Sequence, residues 1–306
     1  MAVQPGWDGM GVTQGEPPAV ARRRVRFALR RFRAATGLNQ SQVAKRLSWS
    51  LSKIQRIEGG EVAVSVTDLR ALFDLYGIED GPETDRLVED AQIARRQRWH
   101  EAAEYRRHLS KGVRQLLQFE AEARVIKVYQ PALVPGVLQT SAYANSVLNW
   151  WDKSLSADDR RVRYDVRMLR KRQILDRRAG PEYHLILDQS ALLREVGGAR
   201  VMAEQLESLE EVSRLANVHV RCVPFDKGPH AAVLGPFQII DLGEGDDDDA
   251  VLYREFYNRD NVTHDPDEIE FYRVVFEKLW SNCRDEDSTR RAILLESLRL
   301  RQSLEG

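Results

Sequence analysis

Residues 50 to 56 read Ser-Leu-Ser-Lys-Ile-Gln-Arg, and Gln40 and Ser41 stand shortly before them. Ser50, Ser52, Lys53, Gln55 and Arg56 offer hydroxyl, ammonium, amide and guanidinium groups. Such groups read base edges or hold phosphate oxygens. Gln40 and Ser41 have the character of a helix start, where backbone N–H groups and short polar side chains suit a phosphate. The chemistry on offer is hydrogen bonding and charge pairing with a polyanion.

The surrounding residues supply the elements needed to present this set. Val25, Ala28, Leu29, Phe32 and Ala35 recur at helical spacing, which predicts a first helix over about 22–36, closed by Gly37. Asn39 is placed to cap a second helix, with Gln42 in the capping-box position and Val43, Ala44 and Leu47 inside. A sharp turn at Ser48-Trp49 precedes a third helix capped by Ser50, with Leu51, Ile54 and Ile57 expected inward and Gly59-Gly60 as its stop. Ser65 and Asp68 open a fourth helix, with Leu69, Leu72, Phe73 and Tyr76 inside and Gly77 at its end. Short helices joined by a tight turn are the helix-turn-helix arrangement. The third helix then lies in a major groove with Ser52, Lys53, Gln55 and Arg56 outward or oblique.

Charge agrees with that reading. Residues 21–60 hold eleven cations against the single acid Glu58, a net of +10, while the whole chain stands at −1 and the residues after 60 sum to −9. A basic head on an acidic body is expected when one domain meets a polyanion. At 306 residues the chain has room for about two domains. It has no apolar run of membrane-spanning length and no signal-peptide pattern at its start. With only Cys222 and Cys283 it carries no disulfide framework. The expectation is a cytoplasmic, nucleoid-associated protein with no membrane partner.

The stretch GLNQSQVAKRLSWSLSKIQRIEGG, residues 37–60, resembles the lambda-repressor/Cro (XRE) class of helix-turn-helix domains. Gly37, Leu38, Gln40, Val43, Ala44, Leu47, Ser50, Ile54, Arg56, Ile57, Glu58 and Gly60 match that class's pattern. The turn glycine is replaced by Ser48, and Leu51 stands where relatives often carry a base-contacting glutamine. The resemblance implies a five-helix fold, binding to double-stranded DNA and a homodimer whose two heads sit about one DNA turn apart.

Beyond residue 83 a charged helical run with Trp99, His100 and Tyr105 reads as a connector over 83–123. Residues 156–178 form a basic helix, expected to be a solvated face. Strands are expected at 124–130, 182–188, 218–225, 235–242 and 250–257, with helices near 198–216, 266–282 and 287–303. The fold class is therefore mainly α with a smaller α+β part. Its parts are a disordered tail (1–20), a DNA-binding domain (21–80) and a C-terminal domain (83–306, mixed α/β from 124).

Several motifs of this C-terminal portion recur in the same order in WhiJ-like actinobacterial regulators, which it resembles: LVPGVLQTSAYANSVL, RKRQILDRR, VHVRCVPFDKGPHAAVLGPFQIIDL and LYREFY. That resemblance implies an antitoxin-like domain that receives a signal from a small partner protein. It implies no enzyme.

Catalytic signatures are absent from the sequence. Six scattered histidines show no metal-ligand spacing, and there is no Walker loop, GxSxG or GxGxxG after a strand. No catalytic residue, cofactor or metal is expected. Cys222 and His219 should lie on opposite faces of one strand. The loop 226–237 around His230 is the most pocket-like stretch, and the aspartate run at 246–249 reads as a solvated hairpin tip. Three classes of function remain: a DNA-binding regulator sensing a protein or a ligand, a DNA-targeted enzyme, and a pure interaction protein. The basic head and the empty catalytic inventory favour the first.

Overall fold

The computed structural model describes residues 18–60, 62–95, 105, 107–150, 156–175, 180–227, 235–242, 250–255 and 260–305, and divides into two compact units, Met1–Arg98 and Trp99–Gly306.

The first unit is a five-helix domain: α1 (Pro18–Ala35), α2 (Gln40–Arg46), α3 (Leu51–Glu58), α4 (Val66–Tyr76) and α5 (Pro82–Ala94). The local signals act as expected. Asn39 accepts from the Gln42 backbone N–H, and the Gln42 side chain accepts from the Asn39 N–H, closing the capping box. Ser50 caps α3 through the Lys53 N–H, and Ser65 caps α4 through the Asp68 N–H. Each such cap contributes about 1 kcal/mol. Gly77 ends α4 in the left-handed conformation at φ 68°. Val25, Leu29 and Phe32 meet Val43, Ala44, Ile54, Ile57, Leu69, Leu72 and Phe73 in one core.

Helix α5 belongs to this core. Leu87 and Ala91 are buried in it, and Asp90, itself buried, takes both Arg24 donors at 2.8 and 2.5 Å. The expected connector over 83–123 therefore divides. Residues 82–94 complete the first unit, and the helix Lys111–Glu122 belongs to the second. The cause is amphipathicity: α5 carries an apolar stripe that must be buried, and its acids meet the arginines of α1. Trp99 and His100 lie outside the described residues.

The second unit holds a six-stranded mixed sheet in the order β3-β2-β1-β4-β5-β6. The strands are β1 (Val125–Gln130), β2 (Glu182–Asp188), β3 (Val218–Val223), β4 (Phe237–Asp241), β5 (Ala250–Glu255) and β6 (Asp260–Thr263). β1, β2 and β3 run parallel, and β4, β5 and β6 extend the sheet antiparallel from β1. The helix Pro266–Asn282 packs Ile269, Phe276 and Leu279 on one face, against Tyr129, Ile186, Val223, Phe237 and Leu252. The opposite-facing Val128, Leu185, Leu187, Ile240 and Val251 are also fully buried, so both faces are covered. The final helix, Glu286–Gln302, packs on Ala199–Val212, where Ser297 donates to the Ala203 carbonyl and Arg301 pairs with Glu207.

The basic helix Ala157–Leu175 departs from its expected solvated role. Its Arg170 turns inward and grips Glu120, 5% exposed, at 2.8 and 2.5 Å. The Glu120 carboxylate raises the already high pKa of Arg170 despite burial. A charge pair in this position is held by geometry rather than by exposure.

Candidate nucleic-acid interface

Helices α2 and α3 form a helix-turn-helix. Trp49 N–H reaches the Ala44 carbonyl at 2.8 Å and Ser48 N–H reaches Lys45 at 3.2 Å. This places Ser48 at the left-handed position of a helix-ending motif that usually holds glycine. Its φ is +56°, the only positive φ of a non-glycine among the described residues. That costs about 1 kcal/mol. Trp49 offsets part of this by packing on the domain core.

The third helix buries Ile54, Ile57 and Glu58 and exposes Ser52, Gln55 and Arg56 on its other side, as the helical period requires. Leu51 is a correction. It was expected inward, but it sits at the first helical position, on the rim, with 41% of its surface exposed. It leaves an apolar side chain exposed one helical turn before Gln55.

The seven expected contact residues divide into two groups. Ser41, Ser50, Ser52, Gln55 and Arg56 are exposed, and Gln40 and Lys53 are half-buried. Gln40, Ser50 and Lys53 each bond within the domain. Gln40 donates to Glu58 at 2.8 Å, and Ser50 caps α3. Lys53 Nζ lies 2.7 Å from Asp68 and 3.6 Å from the centre of the Trp49 ring. Glu58 also accepts from Arg33 at 2.7 Å, and Arg33 donates to the Leu38 carbonyl at 2.9 Å. This buried carboxylate thus ties α1, α2 and α3 together.

The basic block is likewise divided. Arg24 pairs with Asp90, Arg31 with Glu83 and Arg33 with Glu58, while Arg22 and Arg26 are buried. Much of the charge on α1 therefore serves packing against α5, which its local sequence does not reveal. Lys45 and Arg46, at the end of α2, remain exposed near the helix-turn-helix.

In the second unit, burial pushes the Cys222 thiol up to about 12, consistent with a structural cysteine. The His230 loop and the aspartate run lie largely outside the described residues. A site that residue spacing does not reveal is formed by strand register: His184 pairs with His219 across β2 and β3, with Glu182 beside them. No helix among the described residues is long and apolar enough to cross a membrane.

Comparison with known families gives two matches. Residues 25–87 match a helix-turn-helix domain, which supports DNA binding and transcription regulation, and that match runs into α5. Residues 113–294 match a domain of unknown function, DUF5753. No curated protein and no solved structure gives a significant match. Because the second match spans more than half of the chain, the protein belongs to the DUF5753 family, here with a helix-turn-helix domain preceding the family domain.

Proposed function

We propose that this protein is a sequence-specific transcription regulator of the XRE type, whose C-terminal unit receives a signal from a small partner protein. The observation that carries the reading is the exposed row Leu51, Ser52, Gln55 and Arg56 on a capped third helix. It offers base-reading groups on an element of groove-entering size. The acidic balance after residue 60 keeps the remainder of the chain from competing for phosphate. The protein acts as a homodimer, because one such head spans few base pairs. It works at the nucleoid, catalyses no reaction and belongs with the WhiJ-like, antitoxin-like regulators it resembles.

A second reading, in which the signal is a small molecule, is favoured by a cleft of about 460 Å³ in the C-terminal unit, lined in part by Ser213, His219, Glu286 and Arg290. Genomic fragments recovered with the purified protein and sequenced test the DNA reading. A shared, two-fold related motif is expected, and fragments without any common sequence would sink it. Affinity capture from the native lysate separates the two signals, since only the first requires a stoichiometric small protein.

A further inference from the structure

The starts of β2 and β3 carry three metal-capable side chains on one face. Glu182 and His184 are two residues apart on β2 and so point the same way. His184 is in register with His219 of β3. One ligand atom from each of Glu182, His184 and His219 lies within 4.8 Å of the others. The two imidazoles stack at 4.7 Å, and Trp280 packs against His184 at 5.4 Å.

The two nitrogens of His219 face different carboxylates. Its Nε2 lies 3.1 Å from Glu182 and its Nδ1 lies 3.3 Å from Glu286, in the first turn of the final helix. An imidazole that binds a metal through one nitrogen usually donates the other N–H to a carboxylate. Glu286 occupies that supporting position.

We infer that Glu182, His184 and His219 bind a divalent ion of the zinc class, with Glu286 orienting His219. Two imidazoles and a carboxylate are the donors such ions accept, and three protein ligands leave a position open. Glu182 is exposed and both imidazoles are half-buried, so the ion is exchangeable with solvent. The ion links β2 and β3, and through Glu286 the last helix, to one point. The inference does not depend on DNA binding.

Chelator-treated full-length protein titrated with Co²⁺ tests it. The expected result is one equivalent of Co²⁺ with the strong visible absorption of a low-coordinate site, displaced by Zn²⁺. His184→Ala and His219→Ala should abolish that saturable signal. Glu286→Gln should bind about 10- to 100-fold more weakly while remaining folded. Glu182→Gln, the mildest ligand change, should lose the rise in thermal midpoint that Zn²⁺ produces in the parent. No saturable absorption from the parent protein would overturn the site, and so would a signal surviving in both histidine variants.

Discussion

Gln40 Nε2 donates to Glu58 Oε2 at 2.8 Å, fastening the first turn of α2 to the last turn of α3. The other Glu58 oxygen takes Arg33 of α1. The angle at which α3 is presented thus depends on one carboxylate that is 3% exposed. Removing it leaves the half-buried Arg33 guanidinium without its carboxylate partner. Glu58→Ala should destabilise the first unit by about 3–5 kcal/mol, and Glu58→Gln by less, since the amide oxygen still accepts. Urea unfolding of a 1–98 fragment measures both. A loss under about 1 kcal/mol for the alanine variant would show that the carboxylate does not organise the domain.

Helix α5 sets the size of the folding unit. A fragment ending at residue 98 should melt cooperatively. One ending at residue 80 should not, because it lacks Leu87, Ala91 and the Asp90 partner of Arg24. Circular dichroism with a thermal scan decides it. The longer fragment should also bind DNA more weakly than the full chain at equal salt, if dimer contacts lie in the C-terminal unit. Equal affinity would count against the dimer.

Ser48 holds a conformation suited to glycine, at φ 56°. Ser48→Gly should therefore raise the stability of the first unit by about 1 kcal/mol, less any entropy gained by its unfolded chain. Affinity for DNA should hold or improve, since Ser48 precedes the contact row. A destabilised Ser48→Gly variant in urea unfolding would mean that the serine side chain compensates for its backbone.

Lys53 is held by Asp68 at 2.7 Å. If Lys53 is to meet a phosphate, it must leave that acid. Asp68→Asn should strengthen binding to any duplex several-fold at an unchanged salt slope, because Lys53 no longer has to break that pair. Titrations of a random duplex at several salt concentrations provide the test. Unchanged binding would restrict Lys53 to its contacts with Asp68 and Trp49.

The sequence made the helix-turn-helix legible because its determinants are local. Asn39 with Gln42, Ser50 with Lys53 and Ser65 with Asp68 each act within one helical turn. Five of the six strands were equally readable from short apolar runs. The polar, four-residue β6 was not, since its pairing with β5 rather than its own composition makes it a strand. The exposure of Leu51 is not legible in the sequence, because an apolar residue at a helix start belongs to neither face by period alone. The roles of Arg24 and Arg33 depend on Asp90 and Glu58, which lie 66 and 25 residues away. His184 and His219 meet only through parallel strand register, which no spacing motif encodes.

The central claim is that α3 reads DNA. Parent, Ser52→Ala, Gln55→Ala, Lys53→Ala and Arg56→Ala proteins should each be titrated onto a selected operator and a random duplex over a salt series, with folding checked by circular dichroism. Gln55→Ala and Ser52→Ala should lose about 1–3 kcal/mol on the operator and little on the random duplex. Arg56→Ala and Lys53→Ala should weaken both duplexes and lower the salt slope by about one unit. If all four variants stay folded and bind both duplexes as the parent does, the third helix is not the recognition element.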